Sequence, residues 1–414
     1  MLAATEMEAA MQTKPLPATA SVHRSPNITA DVVAARWREI GAPAAVREQL
    51  LDSAAARDME QFRGHIENFI GTVKIPVGIA GPLHVRGTHA QGHYLVPLAT
   101  TEAALVASYS RGARLISEVG GCRALVLEEA ICRSPAFAFQ TLDQAVAFAG
   151  WLRTQQEVLQ GVASTTSRYA RLIEIRSLIE GNHVYTDFEF VTGDAAGQNM
   201  VTFATEAMLR HIGHNAPVAP SQCFIEVNHS GDKKASARAL QRVRGRRVSA
   251  EVELPAGVVR RNLHTTAACM SEYWRIGAIG SALSGTIGLQ GHYANALTAL
   301  LLACGQDPAC VAESAIGVTR MELTASDSLY VAVTLPSLVV GTVGGATCLP
   351  SQQACLSILG LAGPGNARTL AEICAALCLA GEISLVGAIC AGEFAKAHRE
   401  LARDLRRLEP ADAT

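Results

Sequence analysis

Apolar residues at helical spacing fill residues 30–69, broken around Gly41-Ala42-Pro43, and predict a small helical cap. Residues 71–83 change to an extended pattern punctuated by Pro and Gly. Residues 96–118 start extended and turn helical after Thr100-Thr101. Thr101 is the expected cap, which puts Glu102 near the positive end of that helix. The pattern changes near Arg133. Residues 136–169 read as strand, turn and helix, 172–190 as alternating strands, and 193–212 as a glycine-opened turn running into a helix. This αβ stretch predicts an inserted domain, with residues 221–234 carrying the chain back. Residues 247–254 and 329–340 read as further strands. Helix signals dominate from Gly257, with small residues and a long apolar run over 280–305 and closing helices over 367–408.

The most apolar run, 370–395, is interrupted by Glu372, Glu382 and Glu393. It falls short of the roughly 18 uninterrupted apolar residues of a membrane span and reads as buried helix. Residues 1–27 lack the apolar core of a secretory signal and read as a loose extension. The net charge of −2 argues against a general nucleic-acid or anionic-membrane binder. The 11 cysteines form no CxxC pair. Cys374 and Cys378 stand one helical turn apart without a metal-ligand set around them. Reduced, packed thiols in a cytoplasmic protein follow, with no metal site.

Chemistry concentrates in Asn228-His229-Ser230-Gly231-Asp232-Lys233-Lys234, where two lysines follow an acid in a Gly/Ser/Asn-rich loop. Taken alone this is a solvated turn. Its companions are Pro97-Leu98-Ala99-Thr100-Thr101-Glu102, Gly193-Asp194-Ala195-Ala196-Gly197-Gln198-Asn199-Met200, Ala303-Cys304-Gly305-Gln306-Asp307 and Gly341-Thr342-Val343-Gly344-Gly345-Ala346-Thr347. Together with Glu67-Asn68-Phe69-Ile70-Gly71, and in this order, they resemble the catalytic portion of the 3-hydroxy-3-methylglutaryl-CoA (HMG-CoA) reductase family, in the form related to the membrane-anchored reductases. No GxGxxG follows a credible first strand, so an ordinary Rossmann dehydrogenase is excluded.

The resemblance implies an α+β fold. A helical N-terminal domain (28–70) follows the extension (1–27). A large domain around a long central helix (71–133 and 235–414, ending in a lid) is interrupted by a small nucleotide domain (134–225) and a connecting catalytic loop (226–234). It further implies a homodimer or higher homo-oligomer with shared active sites, and reduction of HMG-CoA to mevalonate and free CoA by NADPH. Lys233 matches the lysine that stabilises the carbonyl oxyanion. His398 matches the acid that protonates the departing CoA sulfur. Glu102 matches the acid that protonates the aldehyde oxygen; burial would help it hold that proton and Lys233 would oppose it. Asp307 completes a set expected to titrate together with Glu102 and Lys233.

Asn295 matches a residue that orients this network. Glu67 lies in the CoA-side entry motif. Arg133, Asp232 and Lys234 match positions around the acyl group. Ser167, Arg168 and Tyr169 match the segment that contacts a 2′-phosphate, which favours NADPH. Asp194, Gly197, Asn199 and Met200 fall in the pyrophosphate-binding turn, and Gly344 and Gly345 in a second cofactor-side loop. Each of these segments taken alone is also a tight turn or a surface helix.

Three positions depart from the family pattern. Glu226 stands where the family has a substrate-binding serine, and would repel the acid end of the substrate unless protonated or paired. Arg275 is the only cation near 274–277, where the family has a lysine. Glu393 replaces a histidine. The alternatives are therefore a reductase of another acyl-CoA or carrier-protein thioester, or a noncatalytic CoA- or nucleotide-binding homologue.

Overall fold

The structure is a computed structural model that describes Ser25 and residues 27–395. His398 and the expected lid lie outside the described residues. The chain forms two compact units that divide between Pro76 and Val77, beyond the boundary expected at residue 70.

The N-terminal unit carries helices Ala30–Ile40, Ala44–Leu50 and Ser53–Arg57. Its core gathers Ile28, Val33, Trp37, Leu51, Ala55 and Phe69. Arg36 is fully buried and donates to the carbonyls of Phe69 (3.0 Å) and Ser25 (2.8 Å), so its charge is matched by backbone dipoles. Glu67 is exposed in this unit, beside the left-handed Asn68 (φ 52°).

The second unit is built on strands β1 (Val77–Gly87), β2 (Gln91–Ala99), β3 (Cys122–Arg133), β4 (Ala136–Ala138), β5 (Arg171–Glu180), β6 (His183–Val191), β7 (Gln222–Phe224), β8 (Gly245–Leu254), β9 (Val318–Leu323) and β10 (Leu329–Leu338). The sheet runs β7-β4-β6-β3-β8-β10-β9, with β5 on β6 and the β1–β2 pair on β3. β3 joins two regions. Residues from Arg123 to Ala130 pair with β8, and Ile131, Cys132 and Arg133 pair with β6. The sequence pattern left β3 unassigned because a register shift between Val126 and Glu128 breaks its alternation. β8 keeps strict alternation, burying Arg246, Val248, Ala250, Val252 and Leu254 on one face.

Helix Ala367–Cys390 runs through the core of the first region and is buried on nearly every face, as an all-round apolar helix must be. It is long and apolar enough to cross a membrane, and 83% of its most apolar window lies inside the protein. Helix Leu105–Glu118 packs directly on it. A Cβ on Gly112 would lie 1.9 Å from the Ala380 carbonyl oxygen, so only glycine permits this approach. Two of the three glutamates that interrupt the apolar run act as struts. Glu372 Oε2 accepts from His89 N (2.9 Å) and Ala90 N (2.6 Å). Glu382 accepts from Gly291 N (2.9 Å), His292 N (2.8 Å) and Thr319 Oγ1 (2.8 Å).

A second core lies on the β4–β6 side. It includes Phe137, Phe148, Leu159, Phe188, Phe190, Val201 and Met208, with helices Leu142–Leu152, Gln156–Ser164 and Gln198–Asn215 around it. The expectation that Thr101 caps the next helix is corrected. The helix starts at Leu105 after the left-handed Ala104 (φ 69°), and the Thr100 hydroxyl accepts from Glu102 N (3.0 Å) in a local turn instead.

Candidate active site

The loop from Glu226 to Lys234 leaves the β7 edge and reaches the end of helix Tyr293–Ala303. Asn228, Gly231 and Lys233 all have positive φ (65°, 75° and 56°). Lys233 Nζ meets Asp307 Oδ2 at 2.7 Å. Asp307 is itself fixed, because its Oδ1 caps the turn Pro308–Cys310 through Ala309 N (3.0 Å). The hydrogen bond to Asp307 holds the Lys233 ammonium above the usual lysine range, against the smaller opposing effect of burial.

Glu102 pairs elsewhere. Its Oε2 accepts from Asn295 Nδ2 at 2.8 Å. Asn295 is in the first turn of helix Tyr293–Ala303, whose N-terminal side is held by Glu382 through Gly291 N and His292 N. Burial alone would raise the Glu382 carboxyl, but bonds from His292 and Thr319 overcome this and lower it. Asp307 lies past the other end of that helix, where Gln306 N donates to Leu301 O (2.9 Å). Asn295 to Ala303 alone rises about 12 Å along the axis. The expected trio of Glu102, Lys233 and Asp307 is thus split within one chain into a Glu102–Asn295 pair and a Lys233–Asp307 pair, at opposite ends of one helix.

The acyl-side residues converge around Arg133. Its Nη1 contacts Glu226 Oε2 and Asp232 Oδ2, both at 3.3 Å, and its Nη2 donates to Thr202 Oγ1 (2.9 Å) and Gln198 O (3.3 Å). Arg133 is buried and holds the loop. Glu226 is paired with that same guanidinium, which it shares with Asp232. Lys234 is exposed, with Nζ donating to Asp232 O (2.9 Å). Arg275 pairs with Glu272 on its own helix, and Glu393 Oε1 meets His264 Nδ1 at 2.9 Å.

The two cofactor-side loops come together. Ala195 bridges Val343, and Thr342 N donates to Asp194 O (2.9 Å). A Cβ on Gly341 would stand 2.4 Å from Ala196 N, so the loops touch backbone to backbone. Gly197 (φ 86°) opens helix Gln198–Asn215, whose first turn carries the exposed Asn199. Gly344 and Gly345 are exposed, with open space where their Cβ atoms would be. Tyr169 lies beside Gly193, Ser167 Oγ accepts from Tyr169 N (3.2 Å), and Arg168 stacks 4.8 Å over the Tyr169 ring.

Open backbone at Gly344 and Gly345, close to the start of helix Gln198–Asn215, together with the exposed Arg168 guanidinium suits the phosphates of a dinucleotide. Two residues expected in the pyrophosphate-binding turn have protein partners of their own. The Asp194 carboxylate is committed to Gly365 N (2.8 Å) and Ala367 N (3.1 Å), and Met200 packs against the second core.

Sequence reasoning missed Arg244 and Glu313. Both are buried, with Arg244 Nη1 2.7 Å from Glu313 Oε1 and Nη2 2.8 Å from Asp232 Oδ1. Glu313 is a lone acid in an apolar stretch, whereas Arg244 sits among Arg242, Arg246 and Arg247 and carries no signal of its own.

Residues 33–403 match the model of the hydroxymethylglutaryl-coenzyme A reductase family. The chain is 42% identical over 349 residues to the 3-hydroxy-3-methylglutaryl-coenzyme A reductase of Methanocaldococcus jannaschii, covering 83% of this chain and 85% of that one. It is 41% identical over 349 residues to that of Methanothermobacter thermautotrophicus, covering 84% and 87%. Among solved structures, the fold resembles two of Streptococcus pneumoniae 3-hydroxy-3-methylglutaryl-CoA reductase. One is a class II enzyme bound to NADPH in open conformations (TM-score 0.64, 19% identity, 85% of this chain and 99% of that one). The other has TM-score 0.67 and 18% identity, covering 92% and 88%. The protein is an α+β oxidoreductase. It belongs to the hydroxymethylglutaryl-coenzyme A reductase family.

Proposed function

We propose that this chain reduces HMG-CoA to mevalonate and free CoA at a site made from two copies, with Lys233 and Asp307 from one and Glu102 and Asn295 from the other. The Lys233–Asp307 contact of 2.7 Å carries this reading, since it presents a fixed, protonated ammonium on the loop that bears the family motif. That ammonium stabilises the oxyanion formed when the thioester carbonyl is reduced. Asp307 keeps it charged and in place. His398 is the candidate proton donor to the CoA thiolate as the hemithioacetal collapses. Glu102, oriented by Asn295, then donates a proton to the oxygen of the aldehyde in the second reduction. Arg133 and Glu226 fix the acyl-side loop, and exposed Lys234 is left to meet the substrate's free carboxylate.

The reductant is a nicotinamide dinucleotide, which supplies one hydride in each of two reductions. The Gly197 and Gly344–Gly345 turns would hold its phosphates, and exposed Arg168 beside half-buried Ser167 favours NADPH. Pairing of two copies is supported by the split catalytic set. It is also supported by Ile276, Ile279 and Leu283, which project at helical spacing from helix Ala267–Ser284 and are 59%, 53% and 84% exposed. The inserted nucleotide domain is supported by the second core. Eleven free cysteines support a reducing, cytoplasmic setting.

The test is HMG-CoA-dependent NADPH oxidation with mevalonate and CoA measured as products. Lys233→Met should abolish turnover while NADPH binding persists. Unchanged turnover in that variant contradicts the assignment.

A further inference from the structure

One short stretch of chain, 307–314, holds Lys233 at two points. Asp307 grips the ammonium at 2.7 Å. Glu313, a few residues on, accepts from the Lys233 backbone N–H through Oε1 (3.3 Å). The same Oε1 accepts from Arg244 Nη1 (2.7 Å). Arg244 Nη2 reaches Asp232 Oδ1 at 2.8 Å, and Asp232 Oδ2 reaches Arg133 at 3.3 Å. Alternating charges thus run Glu226, Arg133, Asp232, Arg244, Glu313, and end on the backbone of Lys233.

We infer that Glu313, acting with Arg244, is a positioning residue for Lys233: it locks the lysine's backbone in the conformation that delivers the ammonium to the reacting oxygen. The inference rests on the proposed role of Lys233. Lys233 has φ 56°, a left-handed conformation that non-glycine residues adopt only when their surroundings impose it. Glu313 and Arg244 impose it from a buried site, with side chains 2% and 4% exposed.

The pair is poorly arranged for stability alone. The Arg244–Asp232 contact lacks hydrogen-bond alignment. Arg244 Nε and Glu313 Oε2 are buried with no hydrogen-bond partner among the described residues. A buried ion pair left short of full satisfaction adds little to stability compared with apolar groups of the same size. Its location explains it better: the carboxylate fixes the backbone of the one lysine whose tip must be placed to within a fraction of an ångström.

The experiment uses the full chain. Glu313→Gln keeps the shape and an acceptor for Lys233 N but removes the charge opposite Arg244. The double variant Glu313→Leu/Arg244→Met removes the whole pair, a replacement that buried ion pairs commonly tolerate. Lys233→Met is run beside them. Thermal melting, kcat, and KM for HMG-CoA and for NADPH are measured for each.

The double variant should melt within a few degrees of the parent. Its kcat should fall by about 10–100-fold with both KM values within about threefold. Glu313→Gln should retain more kcat than the double variant. A folded double variant at parental kcat, a loss confined to KM, or failure of both variants to fold overturns the inference and leaves the role of Lys233 standing. Parental turnover by Lys233→Met overturns the role of Lys233 itself.

Discussion

Asn295 donates to Glu102 at 2.8 Å from the opposite end of the helix that leads to Asp307. The candidate acid and the candidate ammonium are therefore kept apart in one chain by the length of that helix. Each of the two pairs is already formed within one chain.

The Lys233–Asp307 contact has a consequence for pH. The hydrogen bond raises the lysine above its ordinary range, so the ammonium stays charged through neutral pH. Activity that needs the charged form is complete below that raised value and is lost as pH rises through it. Asp307→Asn removes the cause, so the alkaline limb of kcat/KM moves to lower pH. A limb that stays in place shows that Lys233 does not set it.

Arg168 is the predicted discriminator between the two dinucleotides. Its guanidinium stacks on Tyr169 and is exposed beside the Gly193 turn. Losing one charge-assisted contact to a 2′-phosphate costs about 1.5–3 kcal/mol. Arg168→Ala should therefore raise KM for NADPH by about tenfold or more and leave KM for NADH nearly unchanged. Equal effects on both would show that Arg168 does not read the 2′-phosphate.

Glu382 is predicted to be a stability residue. Its net shift is downward, because the bonds from His292 and Thr319 outweigh burial. A lowered folded value contributes stability that is present above the ordinary glutamate range of about 4.5 and lost as pH falls through the folded value. Glu382→Gln should cost about 1–3 kcal/mol near neutral pH. The gap to the parent should narrow on acidification. Denaturant melts at several pH values check both, and a gap that widens toward acid reverses the sign assigned here.

Much of the fold was legible because its signals are local. The apolar run that became helix Ala367–Cys390 and the alternation in β8 both report their own burial. The capping position was misread because the helix begins only at Leu105, after the left-handed Ala104, and the Thr100 hydroxyl takes the amide of Glu102 in a local turn. The struts Glu372 and Glu382 looked like interruptions, since their partners at Ala90 and His292 are far away in sequence. The candidate site was legible only through its motifs. Nothing in the spacing of Lys233 and Asp307 says that they meet, and nothing in Glu102 says that it does not join them. Glu313 belongs to no motif, and only the fold brings it to Lys233.

The shared site is tested most directly by complementation between two dead variants. Glu102→Gln and Lys233→Met, each inactive alone, are co-expressed and purified as a mixture. If two copies build each site, every mixed dimer carries one site with both residues intact. Random one-to-one pairing should then restore about a quarter of parental turnover. A mixture shown to contain mixed dimers that stays as inactive as its parts would contradict a site shared between two copies.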